Sequence, residues 1–242
     1  MRAMNPNDAL AHSLAITMGD VCGIGPETIA KLFRDEQAAG CFVVGDVAVM
    51  RRAAAIVGGS LAVARIERAA DVQELPPRCI AVLQPESLPA DLAALPFGRV
   101  DARAGAAAAA CIEYAVGLAR AGDIAAIVTA PIHKEALAAA GVRFPGHTEM
   151  LQALAADGGA APPVRMMLAN DELRTVLVTI HVSLRDALEA LSFEAVLSTI
   201  RIAHASAARW GQPHPRIAVA GLNPHAGDRD ARMRLALSLI HI

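Results

Sequence analysis

Residues 124–151 read IAAIVTAPIHKEALAAAGVRFPGHTEML. The β-branched run Ile127-Val128-Thr129 predicts a strand, and Ala130-Pro131 a turn, because proline fixes its own φ and has no N–H for a sheet ladder. The alanine-rich segment beginning near Lys134 predicts a short helix that stops at Gly141. A second turn, Phe144-Pro145-Gly146, then presents His147, Thr148 and Glu149 at the start of another helical segment. Strand, turn, helix and polar triplet make one βα unit, and ligands of open α/β sheets sit at such strand C-terminal ends.

The same alternation extends outward. Residues 13–17 and 41–45 are strand candidates, followed by helices that begin at Pro26 and over 47–57, the second ended by Gly58-Gly59. Shorter strands are expected over 61–66 and 78–83, and the stretch 84–97, with Pro85, Pro89 and Pro96, reads as an irregular surface loop. Residues 102–120 form the clearest helix, with Ile112, Val116 and Ala119 on one face, Glu113 and Tyr114 on others, and Gly122 past its end. Further on, 164–168 and 173–179 suggest a hairpin around Asn170-Asp171, and 216–220 another strand, so the sheet is expected to be mixed. The fold class is α/β with right-handed crossovers. A first α/β domain is expected over residues 1–140 and a second over 141–242.

Composition narrows the function classes. Of the 242 residues 55% are hydrophobic but only 3% aromatic, so the core must be built from Ala, Val, Leu and Ile. A net charge of −2 argues against a broad nucleic-acid surface. Cys22, Cys41, Cys79 and Cys111 lie far apart without a C-x-x-C pair, which points to a reduced protein. With no signal-like or membrane-length apolar run, a cytoplasmic location is expected.

Several polar residues carry two readings each. Gly23-Ile24-Gly25 follows a strand, but the G-x-G-x-x-G spacing is missing, so structural glycines fit better than a dinucleotide cradle. Lys134, near a helix start, is either a phosphate contact or a solvated cation. Thr148 is either a helix cap or a ligand contact, and His147 beside it supplies a charge-switchable imidazole. His181 and His225 each stand just beyond a strand; either is a structural histidine, or the two share a divalent metal. His133, His12, His204 and His214 match no such pattern.

Four segments together resemble one family. TMGDVCGIGPE (with Val21 where proline is usual), TAPIHKEAL with FPGHTEML, IHVSL and GLNPHAGD resemble, in order, motifs of the 4-hydroxythreonine-4-phosphate dehydrogenase family, over about residues 14–228. The resemblance implies a two-domain α/β/α architecture similar to the isocitrate and isopropylmalate dehydrogenases. It implies substrate contacts from His147 and Thr148, metal ligation by His181 and His225, and a homodimer with the active site at its interface. The implied activity is NAD-dependent (or NADP-dependent) oxidation of 4-phosphooxy-L-threonine with decarboxylation to 3-amino-2-oxopropyl phosphate. The divalent cation would be Zn, Co, Mn or Mg. Paralogues oxidise 4-phosphorylated sugar acids such as threonate or erythronate 4-phosphate, or aromatic cis-dihydrodiols. A non-catalytic binding protein for a phosphorylated metabolite is the reading from another class. The family's third histidine ligand and later substrate contacts have no counterpart here, and 237–242 reads as a non-native tail of adapter origin. The chain is accordingly expected to be a C-terminally truncated member, poorly stable and inactive as it stands.

Overall fold

A computed structural model of the chain describes residues 13–156, 159–222 and 237–241. By contacts the chain divides into two compact units, Met1–Pro162 and Pro163–Ile242.

The first unit alternates strand and helix: β1 (Leu14–Thr17), α1 (Gly25–Arg34), β2 (Cys41–Val44), α2 (Val47–Val57), β3 (Ala62–Ile66), β4 (Cys79–Leu83), α3 (Ala102–Ala121), β5 (Ala126–Thr129), α4 (Lys134–Ala139) and α5 (His147–Leu154). Its five strands form one sheet in the order β3-β4-β2-β1-β5, and every pairing is parallel. Strands β2 (CFVV) and β4 (CIAVL) are buried at every position, as central parallel strands covered on both faces must be. β5 forms one edge, and its Val128 is 45% exposed. The core is aliphatic, with Phe42 and Phe33 its aromatic members.

Local chemistry sets the helix ends. α1 starts with Pro26 in its first turn and Glu27 beside the positive end of its dipole. The Asp46 side chain caps α2 by accepting from the Val49 N–H at 2.8 Å, and Asp101 caps α3 through the Arg103 N–H. α3 ends at Gly122, whose φ of +81° is the left-handed conformation a C-terminal cap requires, and the Asp123 N–H closes back on the Leu118 carbonyl. The expected apolar face of α3 holds at Ile112 and Val116 but not at Ala119, which is exposed; the buried stretch ends at Val116, and the last turn extends beyond the packed region. Near its start, Gly105 lets α4 pack backbone to backbone, since a Cβ there would run into the Ala136 carbonyl. The first unit continues past residue 140 because α5 buries Met150 in one cluster with Ile112, Val116 and Leu137.

The second unit comprises β6 (Met167–Ala169), β7 (Arg174–Leu177), α6 (Leu184–Ala190), α7 (Phe193–Ala207), β8 (Ala218–Gly221) and β9 (Leu237–His241). Its sheet, β6-β7-β9-β8, is antiparallel throughout. One parallel and one antiparallel sheet thus replace the single mixed sheet expected. The hairpin turn is built on Asn170, whose Oδ1 accepts from the N–H groups of Glu172 and Leu173 at 3.0 and 2.7 Å. β6 begins at Met167 rather than 164, and Arg165, two positions ahead of it, is held by side chains, donating to the Thr199 and Ser198 hydroxyls of α7 at 2.6 and 3.3 Å. α7 packs through Val196, Thr199, Ala203 and Ala207, a helical repeat. β9 falls within the segment the sequence set apart as a tail, and it pairs between β7 and β8.

All four cysteines are buried and free. Among the described residues no helix is long and apolar enough to cross a membrane.

Candidate functional site

At the C-terminal end of the first sheet, Thr17 of β1 and Thr129 of β5 are register partners, and the loops beyond them are joined. The Ala130 N–H donates to the Thr17 carbonyl at 3.3 Å, and the Asp20 N–H to the Pro131 carbonyl at 2.9 Å. Two glycines make this approach possible. Gly19 has φ +74°, and a Cβ there would stand 2.5 Å from the Pro131 oxygen; one at Gly25 would stand 2.8 Å from the Met18 oxygen.

These contacts favour the structural reading of the glycine loop. Its N–H groups are turned inward: Cys22 donates to Asp20 Oδ1 at 3.0 Å, Gly23 to the Asp20 carbonyl, and Thr28 to the Ile24 carbonyl. Val21 and Cys22 are buried. A cradle for phosphate needs its backbone donors free, and those of Asp20, Cys22 and Gly23 are already used.

The β5–α4–α5 unit puts the predicted triplet at the start of a helix. Gly146 is the N-cap of α5 and no side chain caps it, so the first N–H groups of the helix lack a side-chain acceptor. Thr148, the second helical residue, is exposed and does not cap, which removes the purely structural reading given to it. His147 is half-buried, and its Nε2 is enclosed without a hydrogen-bond partner. Burial pushes the His147 imidazole below its ordinary pKa; an interaction with the backbone of Ala130, at the end of β5, opposes this and is the smaller effect. A buried nitrogen with no partner is costly and marks a position where an incoming group gains a hydrogen bond.

Lys134 lies close by. A Cβ at Gly146 would stand 3.9 Å from Lys134 Cε and 3.5 Å from Glu149 Oε2, so a cation and a carboxylate flank the start of α5. The lysine is exposed, and α4, which it begins, has only six residues.

His181 belongs to the second unit, four residues past the end of β7 rather than immediately after it. It is exposed and has φ +55°, a left-handed conformation that histidine tolerates better than most side chains. An exposed imidazole suits a metal ligand by its donor chemistry. His225 lies outside the described residues. Among the described residues no group of three or more His, Cys, Asp or Glu is placed to hold a metal. His204 and His214 are exposed, and His12 lies outside the described residues.

Sequence reasoning missed several features that depend on tertiary approach. The Thr17 hydroxyl is fully buried without a partner, as is one Glu27 carboxylate oxygen. Arg52 of α2 donates to the carbonyls of Ala93, Leu95 and Val21. No motif marked them, and an arginine in an alanine-rich helix carries no such signal. A cavity of about 390 Å³ opens at the N-terminal ends of the strands, lined by Phe33, Cys41, Leu75, Arg78 and Cys79 among others, and includes none of the predicted residues.

Comparison with known proteins places the chain in a family. Residues 37–231 match the family described as pyridoxal phosphate biosynthetic protein PdxA. The chain is 52% identical over 221 residues to the 4-hydroxythreonine-4-phosphate dehydrogenase of Beijerinckia indica, covering 90% of this chain and 63% of that protein. It is 44% identical to the D-threonate 4-phosphate dehydrogenase of Cupriavidus necator, again covering 63% of the relative. The chain thus spans somewhat under two thirds of the length of these curated relatives. Among solved structures it superposes on a 4-hydroxythreonine-4-phosphate dehydrogenase from Burkholderia phymatum with a TM-score of 0.79 at 40% identity, covering 90% of this chain and 64% of that one. A terephthalate 1,2-cis-dihydrodiol dehydrogenase from Burkholderia xenovorans gives a TM-score of 0.65 at 30% identity, covering 93% and 66%. With a family match over most of its length and relatives this similar throughout, the chain belongs to the PdxA family of dehydrogenases.

Proposed function

We propose that the chain carries substrate- and metal-contacting residues of an NAD-dependent dehydrogenase that oxidises 4-phosphooxy-L-threonine. Loss of carbon dioxide then gives 3-amino-2-oxopropyl phosphate for pyridoxal 5'-phosphate biosynthesis. The observation that carries this reading is His147, an imidazole with an enclosed, unpartnered Nε2 at an uncapped helix start beside the end of β5. The similarity to the Beijerinckia indica enzyme supports the choice of substrate.

In this reading His147 and Thr148 bind and orient the substrate, the imidazole through Nε2 and the threonine through its exposed hydroxyl. Burial favours the uncharged imidazole, which holds a proton on one nitrogen and accepts at the other. His181 and His225 would hold a divalent cation, Zn, Co, Mn or Mg, in a homodimer located in the cytoplasm. When bound, the cation supplies positive charge against the negative charge that develops on the substrate oxygen, and NAD or NADP accepts the hydride.

A second reading, oxidation of D-threonate 4-phosphate, is favoured by the relatives of that name at 44% and 41% identity. The two substrates share phosphate and secondary alcohol and differ at one carbon, amino against hydroxyl. Calorimetric titration with each, in the presence of Mn²⁺, separates the readings: the proposal expects tighter binding of 4-phosphooxy-L-threonine. Tighter binding of D-threonate 4-phosphate selects the second reading, and binding of neither contradicts both.

A further inference from the structure

Residues 91–100 run from Asp91, in the left-handed conformation at φ +56°, through a turn of 3-10 helix (Leu92–Ala94) to Phe97 and Gly98, where φ is again positive at +69°. Leu92 and Leu95 point into the core, whereas Phe97 and Val100 are each 49% exposed. The segment lies on the β1–α1 loop, for the Gly98 N–H donates to the Cys22 carbonyl at 2.8 Å. Beneath it Val21 is 0% and Cys22 2% exposed.

One side chain from a third element ties the layers together. Arg52 Nη1 donates to the carbonyls of Ala93 and Leu95, both at 2.9 Å, and Nη2 donates to the Val21 carbonyl. The guanidinium also stacks on Phe97, 4.2 Å from the ring centroid. The Ala93 and Leu95 oxygens lie at and just past the end of the 3-10 turn, where carbonyls lack helical partners. A planar fork with five donors can serve all three carbonyls and stack at once; lysine cannot.

We propose that Arg52 is a latch, and that residues 91–100 form a strap which closes over the β1–α1 loop while the latch holds and swings on Asp91 and Gly98 when it is released. The strap is closed in this structure. Opening exposes Cys22, whose carbonyl is bound to the strap and whose N–H donates to Asp20 Oδ1. The latch operates whichever phosphorylated acid the enzyme takes, so its failure and the failure of the proposed activity are separate results.

The protein carries its own reporter. Peptide-resolved alkylation with N-ethylmaleimide compares Cys22 under the strap with Cys111, fully enclosed in the core on α3. In Arg52→Met the Cys22 rate should rise at least about tenfold over wild type, the size expected from losing charge-assisted hydrogen bonds, and by a clearly larger factor than the Cys111 rate, which follows global unfolding. Arg52→Lys should fall between the two. Phe97→Ala, which removes the stacking surface alone and decides the matter if Arg52→Met fails to fold, should raise the Cys22 rate by about threefold. An unchanged Cys22 rate in both variants, or Cys22 and Cys111 accelerating together, overturns the proposal.

Discussion

Two glycines on α3 should respond in opposite directions to the same substitution. Gly117 is exposed with nothing within 4 Å of a Cβ position, so Gly117→Ala gains helix propensity without steric cost, about 1 kcal/mol. Gly105→Ala gains the same propensity, but its methyl overlaps the Ala136 carbonyl of α4, and the obstacle is backbone, not the end of a flexible side chain. Overpacking costs about 1–3 kcal/mol, and a rigid obstacle calls for the upper end, leaving a net loss of about 2 kcal/mol. For a chain of this size that is a fall in Tm of roughly 4–8 °C against a rise of about 2–4 °C for Gly117→Ala. The crossing of α3 and α4 also places Lys134, so Gly105→Ala should shift the Lys134 and His147 resonances in NMR spectra while Gly117→Ala leaves them in place. Urea and thermal unfolding of both variants check the stabilities. Equal shifts, or a stabilised Gly105→Ala, would refute the claim that α4 packs on α3 through this glycine.

Three further outcomes follow from the same contacts. Because burial lowers the His147 pKa in the native state, the unfolded chain takes up a proton first as pH falls. Stability should therefore decline from the unfolded value down to the lowered native one and level off beneath it; the His147→Asn variant should lose this component in urea midpoints taken from about pH 7.5 to about pH 5. Cys111, fully buried and with its thiol pushed up to about 12, should react with alkylating reagents only at the rate of global unfolding, and a faster reaction would show that α3 opens locally. Replacing His181 by Ala should weaken Mn²⁺ or Zn²⁺ binding by about tenfold or more in calorimetry while His147→Asn leaves it unchanged; equal metal binding by wild type and His181→Ala removes His181 as a ligand.

The strands of the first sheet were legible because short β-branched runs stand between glycine and proline punctuation, and buried parallel strands need no more than that. The helix stops at Gly122 and Gly141 were legible for a similarly local reason, the demand for positive φ. Sequence reading failed where partners come from afar. Ala119 continues the helical period of Ile112 and Val116, yet periodicity does not say where the packed region ends. The start of β6 shifted to Met167 because Arg165 is held by hydroxyls 33 and 34 positions away. At the site, the turn before His147 was visible in Phe144-Pro145-Gly146, whereas the enclosure of Nε2 and the approach to Ala130 depend on how α5 folds back on β5. For the glycines of the β1–α1 loop the missing G-x-G-x-x-G spacing already favoured a structural role, and the inward-turned N–H groups of Cys22 and Gly23, which depend on how Asp20 folds back, agree with it.

The central claim is that His147 binds the phosphorylated hydroxy acid through its enclosed nitrogen. Calorimetric titration of wild type and His147→Asn with 4-phosphooxy-L-threonine in the presence of Mn²⁺ tests it most directly. Losing a hydrogen bond to a partner left buried should weaken binding by about tenfold or more, with metal binding retained. Equal affinity in the two proteins would contradict the account.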